Sequence, residues 1–200
     1  MNVAFSYLLE KEEVFQRIVD KYGLPVVPSR PEGFQTLCKL ILEQQVSIES
    51  AKACFQKIEN LLKIVSPEII FKSSNEELRS CGVSRQKINY LYHLSESILE
   101  NRIQLETFSQ KTDKEVRDEL IKIKGIGHWT IDVYLMFSLQ SKDVIPLGDI
   151  AVVNTIKELF DCHEKEEMER LTQKWMPYRS MATFLLWHHY LSKRNRKVIF

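Results

Sequence analysis

Apolar residues recur at three- and four-residue steps along almost the whole chain, and this spacing restricts the fold more than any other feature of the sequence. Such steps place apolar side chains on one face of a helix, whereas a half-buried strand requires strict alternation of apolar and polar residues. No segment alternates convincingly, and the 6 glycines and 6 prolines among 200 residues leave few breaks. The sequence therefore predicts an all-α protein made of many short helices.

Polar residues with capping chemistry precede several of the apolar runs. The candidate N-caps are Ser47, Ser66, Ser74, Ser84 and Thr112. Glutamate follows three residues after Ser74 and after Thr112, which is the spacing of a capping box. At the N-terminus, apolar positions between residues 8 and 19 predict a single helix that ends near Gly23.

Composition and charge exclude several classes of protein. The chain has 28 Lys and Arg against 27 Asp and Glu, so it is neither a polybasic tail protein nor an acidic disordered chain. No acidic residue follows Leu171, and the basic residues there fit either a solvated tail or a surface that faces phosphates. No apolar run approaches the ~20 residues that span a bilayer, and the N-terminus lacks the pattern of a signal peptide. We therefore expect an intracellular protein without a membrane partner, in the cytoplasm of a prokaryote or the nucleus of a eukaryote.

The cysteines do not form a metal-binding pattern. They are Cys38, Cys54, Cys81 and Cys162. No two of them form the CxxC pair of a zinc ribbon, and they are not grouped as the ligands of an iron–sulfur cluster are. We expect buried free thiols in a reducing compartment and no iron–sulfur cluster.

The segment 120–130 carries the strongest local signal. One amphipathic helix ends there, Gly125 and Gly127 flank Ile126, and a second helix begins at once. Glycine permits a tight reversal of the backbone, and the free amides of the new helix favour an anion such as a DNA phosphate. Lys122 and Lys124 add positive charge beside the turn. This pattern resembles the helix–hairpin–helix motif, which binds the DNA backbone without reading its sequence.

Three further segments resemble the helix–hairpin–helix DNA glycosylase superfamily, and within it the 3-methyladenine DNA glycosylase II family. Residues 34–47 end in Gln-Gln-Val-Ser, residues 142–149 end in Pro-Leu-Gly-Asp, and residues 175–182 read Trp-Met-Pro-Tyr-Arg-Ser-Met-Ala. The resemblance covers roughly residues 34–190. It implies two helical lobes with a cleft between them. One lobe would span 31–139, with the hairpin at about 113–139, and the other would combine 1–30 with 140–200.

The resemblance implies a monofunctional DNA N-glycosylase of base-excision repair. Such an enzyme flips an alkylated, cationic purine such as 3-methyladenine or 7-methylguanine out of double-stranded DNA and hydrolyses its glycosidic bond. Asp149 would be the catalytic carboxylate, although an aspartate at this position is in isolation most often only an N-cap. One carboxylate suffices because a cationic base leaves with little acid assistance. A monomer is expected.

Aromatic side chains would recognise the cationic base. The resemblance places five residues at the base pocket: Trp187, Trp129, Phe184, His188 and Val133. Stacking of a cation on an indole is worth ~0.5–2 kcal/mol. Both tryptophans also fit core positions in which the indole N–H is hydrogen-bonded. Family members that cleave the DNA strand have a lysine where this chain has Trp129, so no lyase activity is expected.

The resemblance also implies how the hairpin binds DNA. The residues expected at the DNA are Gly125, Ile126, Gly127, His128, Thr130, Lys122, Lys124 and Gln45. Gln45 matches the position that inserts into the gap left by the flipped base, and it equally fits a polar helix end. The backbone carbonyls of Ile121, Ile123 and Ile126 would hold a monovalent cation, Na⁺ or K⁺, and no other cofactor is expected.

Two positions depart from the family pattern. Lys124 replaces the usual proline of the hairpin, which loosens the turn but adds a positive charge. Val133 replaces an aromatic residue, which bears on the range of bases accepted. Asp132, one turn into the second helix, is expected to be a solvated carboxylate. The alternatives are a glycosylase for another damaged or mismatched base, a non-catalytic DNA-binding module, and a helical domain unrelated to DNA.

Overall fold

The computed structural model describes residues 3–196, and these residues form α-helices and one 3₁₀ helix but no β-strand. The all-α prediction is confirmed for this part of the chain. The α-helices are α1 (Val3–Lys11), α2 (Glu13–Tyr22), α3 (Phe34–Glu43), α4 (Ile48–Leu62), α5 (Pro67–Lys72), α6 (Asn75–Ser80), α7 (Arg85–Leu99), α8 (Asp113–Leu120), α9 (His128–Phe137), α10 (Ile150–Phe160), α11 (Lys165–Gln173) and α12 (Arg179–Ser192). The 3₁₀ helix spans Leu105–Gln110. None of the described helices is both long enough and apolar enough to cross a bilayer.

The predicted N-caps are confirmed. The side chains of Ser47, Ser66 and Ser84 each accept the backbone N–H three residues later. Ser74 and Thr112 form complete capping boxes with the glutamates that follow them. Each cap stabilises its helix by about 1 kcal/mol, so these serines and threonine delimit helices α4 to α8 locally.

The prediction of a single N-terminal helix is wrong. The backbone of Glu12 adopts φ −136° and ψ 106°, which separates α1 from α2. The Glu12 carboxylate accepts the indole N–H of Trp175 at 3.2 Å, and the Trp175 ring is fully buried against Phe15 and Phe160. Trp175 is 163 residues away in the sequence, so the spacing of apolar residues around Glu12 cannot indicate this contact.

The chain divides into two compact units. One contains residues 3–29 and 140–196 of the described part, and the other is Arg30–Leu139. The predicted boundary of 31–139 lies next to this division, and residues 1–2 and 197–200 of the predicted second lobe lie outside the described residues. All four cysteines are free thiols; Cys54 is half-buried and the other three are buried.

Each unit is built around one central helix. In the first unit, α12 packs against α10, α2 and α1. In the second, α9 packs against α3 and α8, and every residue from Thr130 to Phe137 is buried. A helix surrounded on all sides is apolar on all sides. The two central helices, α9 and α12, therefore have apolar residues on most of their circumference. The surrounding helices have one apolar and one polar face.

Candidate functional site

Asp149 is the N-cap of α10, and its side chain is tightly held. One carboxylate oxygen, Oδ1, accepts the backbone N–H of Ala151 at 2.9 Å and of Val152 at 3.0 Å. The same oxygen accepts the indole N–H of Trp187 at 3.0 Å. Capping explains the first two bonds, because the first N–H groups of a helix lack partners within it. The third bond comes from another helix and orients the carboxylate group.

Trp187 joins the predicted catalytic residue to the predicted pocket. Its side chain is only 6% exposed, and its ring lies 5.9 Å from that of Phe184, which is itself buried. The structure therefore brings Asp149, Trp187 and Phe184 together in the first unit. A buried indole normally finds a hydrogen-bond acceptor, and here the acceptor is Asp149 itself.

The loop before Asp149 is fixed to the start of α12. The Arg179 guanidinium contacts both carboxylate oxygens of Asp143 at 2.8 Å. The Ser180 hydroxyl donates to the carbonyl of Ser141 at 2.6 Å and accepts the N–H of Val144 at 3.0 Å. These contacts explain the Arg-Ser pair of the 175–182 segment, whose positioning role the sequence pattern did not reveal.

The other predicted pocket residues have varied surroundings. The ring Nε2 of His188 donates to the backbone carbonyl of Tyr22 at 3.1 Å, so this side chain is directed to the end of α2. Val133 is buried within α9, and Trp129 is half-buried at the start of the same helix. The pocket roles of these three residues stay predictions.

The hairpin contains a tight turn at residues 123–126. The N–H of Ile126 donates to the carbonyl of Ile123 at 3.0 Å, and Gly125 has a φ of 92°. A bond between the first and fourth residues with positive φ at the third is typical of a type II turn. Proline favours the second position of that turn, which is occupied by Lys124. This geometry accounts for both the glycine and the proline usually found in the family pattern.

The two glycines of the hairpin have different surroundings. A Cβ atom on Gly125 would collide with the ring of Tyr90, whose hydroxyl accepts the side-chain amide of Gln86 on the same helix, α7. Gly127 has a φ of −102°, and a Cβ there would meet open space. Gly125 is thus required by the turn and by packing, whereas Gly127 leaves the start of α9 uncovered.

Gln44 ties the end of α3 to the hairpin, a contact that sequence analysis missed. Its Nε2 donates to the Gly125 carbonyl at 2.8 Å and to the Thr130 hydroxyl at 3.1 Å. Thr130 is buried and its hydroxyl accepts the Gln44 amide, and its role at the DNA stays a prediction. The neighbouring Gln45 is exposed and has a φ of 58°, a backbone conformation that few residues other than glycine adopt.

The prediction that Asp132 is solvated is wrong. Asp132 is 7% exposed and forms an ion pair with Arg117, which links α9 to α8. Burial raises the pKa of the Asp132 carboxyl above its ordinary value, while the Arg117 guanidinium opposes that shift. Removal of one partner from a buried ion pair is costly, so this pair fixes the two hairpin helices relative to each other.

Exposed groups surround the turn. Lys122, Lys124 and His128 are exposed, and the carbonyl oxygens of Ile121 and Ile126 accept no backbone hydrogen bond from the described residues. Helix α9 begins at His128, next to the turn, and its N-cap Gly127 has no side chain to accept the first backbone N–H groups of the helix. Free amides at a helix N-terminus bind anions, and backbone carbonyl oxygens can replace the hydration shell of a monovalent cation.

Residues 38–178 match the family model described as HhH-GPD superfamily base excision DNA repair protein. The alkylbase DNA glycosidase-like protein mag2 of Schizosaccharomyces pombe is 29% identical over 205 residues, which cover 97% of this chain and 95% of the relative.

Two solved structures are similar over nearly the whole chain. The DNA-3-methyladenine glycosidase of Bacillus halodurans has a TM-score of 0.83 and 29% identity, with 97% of this chain and 92% of that chain covered. The 3-methyladenine DNA glycosylase Mag1 of Schizosaccharomyces pombe, in complex with abasic DNA, has a TM-score of 0.80 and 28% identity, with 92% and 94% covered.

Proposed function

This chain belongs to the HhH-GPD superfamily of base excision DNA repair proteins, and we propose that it is a monofunctional DNA N-glycosylase acting on alkylated, cationic purines such as 3-methyladenine and 7-methylguanine. The observation that carries the proposal is the Asp149 carboxylate, held at the start of α10 by two backbone amides and the indole of Trp187. Both similar solved structures are named as 3-methyladenine glycosidases or glycosylases, and these names support the substrate class.

Asp149 performs the chemistry in this proposal. The glycosidic bond breaks, its electron pair leaves with the base, and water adds to the sugar carbon and loses a proton to the solvent. The carboxylate stabilises the positive charge that develops on the deoxyribose and orients the water. An alkylated purine already carries positive charge and departs as a neutral base, so no second acidic group is needed.

The base pocket contains apolar aromatic surface beside this carboxylate. Trp187 and Phe184 supply this surface in the first unit. An indole ring attracts the cationic base by ~0.5–2 kcal/mol, whereas an ordinary neutral purine lacks this attraction. The pocket thereby discriminates damaged from undamaged bases.

The hairpin binds the backbone of double-stranded DNA in this proposal. The amides at the start of α9 face a phosphate, and Lys122, Lys124 and His128 add donors around it. The carbonyls of Ile121, Ile123 and Ile126 would hold Na⁺ or K⁺, which adds positive charge near the phosphate. Gln45, exposed beside the Gln44 contact, enters the space left by the flipped nucleotide.

The experiment that tests the proposed function is base release from methylated double-stranded DNA. We expect free 3-methyladenine and 7-methylguanine, separated by chromatography, and no release from unmethylated DNA. Release of an oxidised or mismatched base from matching duplexes, without release of methylated purines, would identify a different glycosylase. Tight duplex binding without release of any base would contradict the enzymatic proposal and favour a non-catalytic module.

The absence of lyase activity is a separate prediction. Strand cleavage requires an amine that attacks the sugar, and the position where the family places that lysine carries Trp129. Incubation with damaged DNA and borohydride should therefore yield no covalent protein–DNA complex. A strand-cleaving glycosylase serves as the positive control, and a trapped complex with this protein would show that another amine, such as Lys122 or Lys124, replaces the missing lysine.

A further inference from the structure

A polar pocket of about 510 Å³ lies in the second unit. Its residues, between 75 and 92, precede the hairpin turn at residues 123–126 in the sequence. The pocket is formed by α6 and the part of α7 from Arg85 to Tyr92. Two arginines, Arg79 and Arg85, and two side-chain amides, Asn75 and Asn89, line it. The buried Ile88 and the half-buried Tyr92, whose hydroxyl donates to the carbonyl of Ser73, also line it.

The two guanidinium groups of this pocket have no carboxylate partner in the described part of the chain. Within the described residues, neither Arg79 nor Arg85 forms an ion pair or a side-chain hydrogen bond. By contrast, the half-buried Arg30, Arg117 and Arg179 each contact a carboxylate. The residues that line the pocket include one carboxylate, Glu76, against two guanidinium groups. The nearby Glu77 carboxylate is engaged in the capping box with Ser74. Two planar guanidiniums and two amide donors match the several oxygens of a phosphate.

Helix α7 connects this pocket to the hairpin. Arg85 and Asn89 line the pocket, while Tyr90, on another face of the same helix, lies against Gly125. Lys87 donates to the carbonyl of Leu42 at 2.7 Å, next to the Gln44 contact with the hairpin. One helix therefore supports the turn and carries the pocket within a single compact unit. DNA presents one phosphate charge per ~1.7 Å of its axis, so a duplex that contacts the hairpin can also reach a neighbouring cationic pocket.

We propose that the pocket of Arg79 and Arg85 binds a second phosphate of the DNA backbone, in addition to the phosphate at the start of α9. The inference rests on the proposed function, because it takes the duplex as the ligand, and it deepens that function by extending the DNA footprint along α7. The pocket contributes affinity independent of base sequence and damage, since phosphates carry no sequence information.

The test is the affinity for a short undamaged duplex, measured by fluorescence anisotropy at several salt concentrations. Arg79→Gln and Arg85→Gln should each weaken binding about fivefold at low salt and lower the slope of log affinity against log salt by about one. Glu76→Gln should instead strengthen binding by a similar factor. Both arginines are exposed, so the melting temperature of each variant should match the wild type.

Arg170→Gln is the matched control, because Arg170 is exposed on α11 and forms no ion pair with the described residues. It removes the same charge and should leave duplex affinity unchanged. Wild-type affinity and salt slope in both pocket variants would overturn the proposal. If base release succeeds but the pocket variants bind normally, only this inference fails. If no base is released and the variants still weaken duplex binding, the glycosylase proposal fails and the pocket stands.

Discussion

Replacement of Asp149 by asparagine is expected to lower the rate of base release by about 10²–10⁴-fold, while duplex binding stays nearly unchanged. The asparagine Oδ1 can accept the same three N–H groups, from Ala151, Val152 and Trp187, so the substitution removes the charge and little else. Asparagine is as good an N-cap as aspartate, and α10 should therefore remain intact. Single-turnover release of 3-methyladenine and anisotropy with an abasic duplex measure the two effects separately.

Two matched variants separate charge from geometry in this experiment. Asp149→Ala also loses the cap and should cost a further ~0.5–2 kcal/mol of stability. Trp187→Phe keeps an aromatic ring beside Phe184 but removes the indole N–H that orients the carboxylate, so it should slow base release less than Asp149→Asn does. Wild-type activity in Asp149→Asn would show that this carboxylate is only a cap, and the mechanism would then need another residue.

Replacement of Gly125 by alanine is expected to destabilise the protein by about 2–5 kcal/mol. The φ of 92° costs a residue with a side chain about 1–2 kcal/mol, and the new methyl group collides with the ring of Tyr90, which adds an overpacking cost of about 1–3 kcal/mol. For a chain of this size, the loss corresponds to a fall in melting temperature of about 5–15 °C, measurable by calorimetry or circular dichroism. In a Tyr90→Ala background the collision is relieved, and only the φ cost should remain.

Gly127 provides the control for this prediction. Because its φ is −102° and a Cβ there meets open space, Gly127→Ala should melt close to the wild type. Gly127→Glu should also fold, but its carboxylate would lie where a phosphate is expected and should weaken binding to all duplexes. Equal melting temperatures for Gly125→Ala and the wild type would contradict the turn geometry.

The sequence by itself determined the local structure around the candidate site. It predicted the all-α class, the N-caps at Ser47 and Thr112, and the place where one hairpin helix ends and the next begins. It also identified Asp149 at the start of α10. These features depend on contacts within four residues of each other, and side-chain spacing along the chain records such contacts directly.

Only the tertiary structure decided how these local elements are held. The bond from Trp187 to Asp149, the contact of Gln44 with Gly125 and the burial of Asp132 against Arg117 join distant parts of the sequence. The same holds for Glu12, whose carboxylate meets Trp175 where the apolar spacing predicts an unbroken helix. A side chain's partner across the fold depends on which helices pack together. The apolar spacing around a residue shows which face of its helix is buried but not which helix covers that face. The capping and turn residues could therefore be predicted, but the side chains that orient the carboxylate and support the hairpin could not.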